Sequence, residues 1–328
     1  MFPFLSISCR TYYFYEVVLI ITVLGVNTLH NKITNYSPEN NTIIVTNLSD
    51  WREIDILWHA SDRIEIGNIC TLDMYNISSL NPQAIVMLFM LCKKIKMQSG
   101  SEVFLDNLTP QIDGYLRRVN FFDYEVATSK GESIEFSKNP LSKNLLELTK
   151  VDSLMQINKL GDWFYDNFEH WFPDKSQSMY RQLSFEAINE LCSNSVEHSA
   201  FENNGEGYFI LQKYFDFAGK TNVIMSVGDC GIGVRNHLIR KYPELSSSDE
   251  AHVLFEALSG KSGRLRTGGG RGLKSICNLT RDYGGYFVIR SGYGLVLIQN
   301  GTVFSEIYSY PLPGTQCAFC LRINNPMP

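Results

Sequence analysis

Apolar positions recur along this chain with two different periods, and the switching between them predicts the order of elements. Residues 31–50 are polar and rich in Asn, Thr and Ser, which reads as a loop or short edge element. From Arg63 to Tyr75 the chain reads as two short strand-like runs around Gly67. The polar Ser78-Ser79-Leu80-Asn81-Pro82 then precedes an apolar helical stretch from Ala84 to Met97, with Pro82 suited to a first helical turn and Ser99-Gly100 to its end. Glu102 to Leu105 reads as a buried strand, and Thr109-Pro110 opens a helix carrying Leu116, Val119 and Phe122. Strand, helix, strand, helix predicts a small α/β layer domain over residues 60–128, after an N-terminal extension (1–59) to which the pattern assigns no structure.

A turn-rich, mixed-charge stretch from Lys130 to Lys143, containing Gly131 and Pro140, places a linker at about residues 129–150. Beyond it, Leu154 to Phe172 and Ser178 to Ala200 read as amphipathic helices separated by Pro173-Asp174. Tyr208 to Phe217 and Asn222 to Val227 read as strands, followed by Gly-rich turns, a helical insert, a helix from Gly272 to Tyr283, and strands to the end. A second α/β domain is therefore expected over residues 151–324. No internal repeat, heptad array or low-complexity tract interrupts the pattern.

Composition narrows the class. A chain of 328 residues with 44% apolar and 19% charged positions is too long and too apolar for a disordered tail, and suits roughly two domains. Its 29 Lys+Arg against 34 Asp+Glu give a formal charge of −5, which disfavours a nucleic-acid partner because phosphate binding needs clustered cations. The eight cysteines are scattered. Cys317 and Cys320 enclose two residues, but Ala318-Phe319 belong to an alternating apolar strand with no second pair or His partner, so reduced intracellular thiols are the simpler reading. The apolar run Val17 to Val26 is bracketed by Glu16 and Asn27 and falls short of the ~20 residues of a membrane helix. No small-residue cleavage site follows it, so a packed helix or strand and a cytoplasmic protein are expected, with a leader or anchor as the alternative.

Three polar clusters carry chemistry. On the helix from Phe185 to His198, four-residue spacing sets Glu190, Asn194 and His198 along one stripe, while Phe185, Ile188, Cys192 and Val196 occupy another. A carboxylate and an amide oxygen one turn apart can share a hard cation, or one can hold the metal while the other activates a nucleophile. Taken alone, a solvated polar face explains that stripe better. After the apolar strand Val223 to Val227 comes Gly228-Asp229-Cys230-Gly231-Ile232-Gly233. A carboxylate just past a buried strand can accept the exocyclic amine of adenine, and the glycines let backbone approach a flat base; a tight strand-end turn is the bland alternative. Thr267-Gly268-Gly269-Gly270-Arg271-Gly272-Leu273 then opens a helix, where exposed N–H groups and the helix start suit phosphate oxygens. No Lys-Ser/Thr follows the glycines, and no first strand feeds them directly, so neither a Walker A loop nor a Rossmann fingerprint is present.

Taken in order, Glu-x-x-x-Asn on a helix, Asp-x-Gly-x-Gly after a strand and Gly-x-Gly-x-Gly-Leu before a helix resemble the gyrase, histidine-kinase and MutL-type (GHKL) ATP-binding fold. The resemblance spans roughly residues 150–324 and includes Gly314-Thr315-Gln316 ahead of the alternating strand Cys317 to Ile323. It implies a two-layer α/β sandwich of the Bergerat type that binds ATP with Mg²⁺. By that resemblance Asn194 binds Mg²⁺, and Glu190 orients or deprotonates the nucleophile. Asp229 reads adenine, Gly231 and Gly233 shape the base pocket, and Gly268, Gly270, Gly272 and Leu273 belong to the phosphate loop. Thr315 backs the adenine, and His198 matches a position often His in the bacterial regulatory branch, with packing or lid contact favoured over catalysis. Between the second and third clusters, Arg235 to Arg266 implies a lid, whose run Lys261-Ser262-Gly263-Arg264-Leu265-Arg266 sets cations beside flexible glycines to meet a triphosphate; a solvated loop is the alternative.

The front domain is similar to STAS-type (sulfate-transporter and anti-sigma-antagonist) domains in its pattern of elements. Where switchable members carry Asp-Ser at the helix start, this chain has Asn81-Pro82, which leaves Ser78 and Ser79 as fallback acceptors and favours a docking role. His170, the helical His upstream of the second domain's clusters, sits among aromatic neighbours that suit packing. The combined expectation is an ATP-binding regulatory protein with slow ATPase or Ser/Thr-directed kinase activity. It acts on a protein partner through the front domain or lid, with a homodimer possible, and with no nucleic acid or membrane involved. The alternative is a non-catalytic, ATP-gated interaction module.

Overall fold

Two five-stranded sheets and the helices between and around them make up the computed structural model, which describes residues 36–131, 144–171, 178–199, 205–215, 221–263 and 271–323. The side chains of His198, Ser199, Phe215 and Arg271 are outside that set, as are the run Val17 to Val26, most of the linker and the glycine loop through Gly268 and Gly270. Contacts knit the chain from Asn35 onward into one compact unit. Among the described residues, no helix is long and apolar enough to cross a membrane.

The front sheet starts with a small antiparallel pair, β1 (Tyr36–Ser37) and β2 (Thr42–Ile44), upstream of residue 60. It continues in parallel through β3 (Cys70–Asp73), β4 (Val103–Asp106) and β5 (Thr128–Ser129). Arg63 to Ile66 turns instead of forming the expected strand, because the N–H groups of Arg63 and Ile64 bond back to Ala60 and Ser61 at the end of α1 (Trp51–Ser61). Helix α3 (Pro110–Arg118) keeps Leu116 on its buried side, but Val119 caps it and Phe122 lies in a following 3-10 turn.

Helix α2 (Pro82–Ser99) starts where Asn81 Oδ1 accepts the Ala84 N–H at 2.8 Å, and it ends at Gly100 in the left-handed region. Every residue from Pro82 to Ile95 is buried, Lys93 and Lys94 included. A helix apolar all round needs cover all round. Here the cover comes from both sheets: α2 packs on β4 of its own layer and on β7, β8 and β10 of the second.

The second sheet is antiparallel throughout, in the order β6 (Leu145–Val151), β7 (Gly207–Phe215), β8 (Thr221–Gly228), β10 (Thr302–Ile323), β9 (Gly285–Gln299). Alternation along each strand splits its residues between two cores. Tyr208 and Ile210 join the front core around α2, whereas Phe209, Leu211, Val223, Met225, Val227, Phe319 and Leu321 join a core under α4 (Leu154–Trp171) and α5 (Ser178–Ser199). That second core also takes in α6 (Gly233–Leu238), α7 (Glu250–Ser259) and α8 (Arg271–Tyr283). All eight residues of β8 are buried, as a strand covered on both faces requires. Strands β9 and β10 form one long hairpin around Asn300-Gly301, both at positive φ, and its outer half lies over Trp51 of α1. His170 is exposed on α4 while Phe168 and Trp171 turn inward, so its aromatic neighbours do not draw it into the core.

Candidate functional site

The end of β8 delivers a carboxylate into a nearly closed setting. Asp229 is 2% exposed, and its Oδ1 accepts the Gly231 N–H at 2.8 Å and the Thr315 N–H at 3.3 Å, while the Ser195 hydroxyl hydrogen-bonds to the same carboxylate. Burial pushes its pKa up to about 7, against the lowering effect of those bonds and of the Lys93 charge. Both backbone donors land on Oδ1, and Oδ2, even where the Ser195 hydroxyl takes one of its lone pairs, has another to accept from a ligand N–H.

Register explains why Thr315 stands beside it. Gln316 pairs with Gly228 across β10 and β8, and one residue further the Asp229 N–H donates to the Thr315 carbonyl at 3.0 Å. Ser291 of β9 completes the corner: its hydroxyl donates to the Gly314 carbonyl at 2.8 Å and accepts the Val234 N–H at 3.0 Å, with the Thr315 hydroxyl 3.3 Å away. Gly233 begins α6 at φ +74, a left-handed turn that carries the chain sharply away from the strand end, and Gly231 donates into Asp229.

Helix α5 supplies the second cluster. The Asn194 side-chain amide donates to Glu190 Oε1 at 2.8 Å, as the one-turn spacing predicts. This bond commits the nitrogen of Asn194 and leaves its Oδ1 as the end able to meet a hard cation. Among the described residues, no group of three or more His, Cys, Asp or Glu converges. A divalent ion here would therefore take Asn194 Oδ1, with Glu190 adjacent, and fill its shell from phosphate oxygens and water, which is how Mg²⁺ is commonly held.

The third cluster reaches the second at Gly272. A Cβ there would overlap the Glu190 carboxylate, so only a glycine lets the start of α8 approach α5 this closely. One cavity joins all three clusters. Glu190, Leu191, Asn194 and Ser195 line it from α5, with Val227 and Asp229 from the β8 end, Thr315 and Cys317 from β10, and Leu273 from α8. Its remaining wall comes from Ile289, from Val234, His237 and Leu238 of α6, and from Ala257, Lys261 and Ser262. Its empty space of about 660 Å³ includes the open mouth and the solvent in it.

The segment between the second and third clusters is folded as far as it is described, through residue 263. Arg235 bonds the carbonyls of Leu245 and Ser246 at 3.3 and 3.1 Å and that of Ser248, and pairs with Glu250 at 2.9 Å, which ties α6, the Pro243–Ser247 turn and α7 together. Lys261 follows α7, pairs with Glu256 at 2.9 Å and lies over the Tyr242 ring.

Of the residues singled out from sequence, Glu190, Asn194, Asp229, Lys261, Ser262, Leu273 and Thr315 share this cavity, while Gly231, Gly233 and Gly272 shape its borders. Gly268, Gly270 and the His198 side chain lie outside the described residues. Sequence reasoning missed Ser195, Ser291, His237 and Lys93. Ser195 stands next to Asn194 on a helix whose register was already read, so it was within reach; Ser291 and Lys93 come from distant strands and helices and carry no local mark. Compared with known family models, curated proteins and solved structures, the chain matches none.

Proposed function

We propose that this chain binds Mg·ATP in the α5–β8–α8 cavity and acts as a regulatory protein of the GHKL type, with a STAS-like front domain. Turnover is slow, either by hydrolysis or by phosphoryl transfer to Ser or Thr of a protein partner that docks on the front domain or the lid. The observation carrying this reading is convergence: three polar clusters far apart in sequence line one cavity, each on the element its chemistry needs. Asp229 Oδ2 and Thr315 offer a corner for a purine edge, Asn194 Oδ1 a ligand for Mg²⁺, and the start of α8 a positive dipole end for phosphate. Glu190, beside Asn194, is placed to orient or accept a proton from an attacking hydroxyl.

One feature favours a second reading, in which nucleotide only gates binding. The Glu190 carboxylate is engaged by Asn194 and covered by Gly272, which restricts its approach to a nucleophile. ADP release from the wild type and Glu190→Ala, alongside calorimetric affinity, separates the two. Turnover by Glu190 predicts a loss of ~10²–10⁴-fold in ADP release with affinity kept. Equal release from both proteins removes catalysis and leaves gated binding. Failure of the wild type to bind any adenine nucleotide removes both.

A further inference from the structure

The sheet under the cavity has a second face, and a single row crosses it. Lys150 pairs with Tyr208, Tyr208 with Gly228, Gly228 with Gln316, and Gln316 with Arg290, so these residues share the side turned to the front domain. One residue along each of the last three strands, Asp229, Thr315 and Ser291 build the corner of the cavity. The front domain thus touches the back of the residues that would read the base.

Helix α2 makes that contact with one stripe, Val86, Met90 and Lys93, spaced by four and three. A Cβ on Gly228 would stand 2.7 Å from Val86 Cγ1 and 3.0 Å from Met90 Cγ, so the missing side chain is the socket into which α2 fits. Lys93 pairs with Glu206 ahead of β7, reaches the Tyr208 hydroxyl at 3.3 Å and lies over that ring. At the far end, Arg290 pairs with Asp55 of α1 at 3.2 Å, both buried. Between them Gln316 is 1% exposed, and neither atom of its side-chain amide has a hydrogen-bond partner among the described residues. A buried amide without partners has lost its hydration and gained nothing in return. It therefore favours any arrangement of the seam that pairs or hydrates it, and lowers the cost of moving α2 on the sheet.

We propose that α2 is the movable rear support of the nucleotide cavity: its seating on Gly228 sets nucleotide affinity, and nucleotide binding in turn tightens α2 onto the sheet. The proposal rests on the ATP-binding reading above. Linkage makes the effect reciprocal, so a front-domain partner that shifts α2 changes affinity, and nucleotide changes affinity for that partner by the same factor.

Gly228→Ala tests it in the full chain. The position has no positive φ, and the added methyl meets Val86, Met90 and Gln316. The expected result is about tenfold weaker binding of Mg·AMP-PNP by calorimetry, within the usual range of coupling between sites. Val86→Ala in the same background, which removes the nearest clash, should restore affinity to within about threefold of wild type. Independently, hydrogen exchange of wild-type residues 82–99 should slow when AMP-PNP saturates the protein. If Gly228→Ala fails to fold, this exchange measurement decides alone. A folded Gly228→Ala protein with wild-type affinity, or exchange in α2 indifferent to nucleotide, overturns the coupling while leaving the cavity's assignment intact. Absence of nucleotide binding by the wild type overturns the assignment itself and the coupling with it.

Discussion

Helices α2 and α5 lie on opposite faces of the same antiparallel sheet, and their environments differ in one respect that decides their roles. Helix α2 has a sheet on each side and hides every residue from Pro82 to Ile95, including two lysines. Helix α5 buries Ala187, Ile188, Leu191 and Cys192 against the sheet but leaves Glu190 and Asn194 half-buried at a cavity. A helix with one open flank can offer polar groups to a ligand; a helix covered on all sides can only pack and push. On the proposed function, the same sheet therefore separates a chemical face from a mechanical one.

The largest expected effect sharpens this contrast through stability. Phe89 is fully buried on α2, edge-on to Phe121 and Tyr124 and in contact with the Tyr208 ring of the second sheet. Phe89→Ala should cost about 3–5 kcal/mol in urea unfolding. Asn194→Ala on α5 should cost ~1 kcal/mol or less, since it loses one half-buried hydrogen bond to Glu190, yet it should abolish the Mg²⁺ dependence of nucleotide binding. Equal destabilisation by the two substitutions would erase the distinction between the faces.

Asp229 gives the next effect, in affinity and in the pH dependence of stability. Asn keeps the Oδ1 that holds Gly231 and Thr315 but replaces the second oxygen with a donor, which would face the amine of adenine. Asp229→Asn should weaken ATP binding by about 10–100-fold, the worth of a hydrogen bond to a charged group. Because burial raises the carboxyl pKa to about 7, the folded chain holds this proton more tightly than the unfolded chain does. Its stabilising share is full below the unfolded value, near pH 4, and is lost as pH rises through 7. Removing the ionisable group should flatten that decline and leave the variant at least as stable as wild type at pH 8. Thermal unfolding from pH 4 to 8 checks the sign, and parallel slopes in the two proteins would contradict the buried, ionising carboxyl.

The legible parts of the molecule were those with a local signature. Helix ends at Asn81-Pro82 and Ser99-Gly100 follow from capping chemistry, and the helices expected at Leu154 to Phe172, Ser178 to Ala200 and Gly272 to Tyr283 lie within two residues of those bounds. The polar clusters were also readable, because Glu190 and Asn194 share a stripe and Asp229 follows an apolar strand. Long-range register was not. Nothing near Ser291 or Gln316 tells which strands they join, and the uninterrupted apolar run of α2 says that it is buried without saying by what. The strands that cover it, β4 of one sheet and β7, β8 and β10 of the other, lie on either side of 100 residues of chain. Arg63 to Ile66 misled for the opposite reason: an apolar alternation too short to outweigh backbone bonds to the preceding helix.

The smallest effect expected concerns the rim of the cavity, where neither face of the sheet acts. Lys261 lines the cavity yet is held by Glu256 at 2.9 Å and lies over Tyr242, so its charge is directed at α7. A triphosphate would compete with one carboxylate for it, and the gain is the difference between two exposed ion pairs. Lys261→Ala should thus weaken ATP binding by only about threefold, and Glu256→Gln should strengthen it to a similar degree by releasing the lysine. Both changes should fade as salt rises toward ~1 M, where the screening length falls to ~3 Å. A loss on Lys261→Ala as large as that of Asp229→Asn, and insensitive to salt, would mean that the lysine is drawn into the buried part of the site when nucleotide binds, and the rim would then belong with the chemical face.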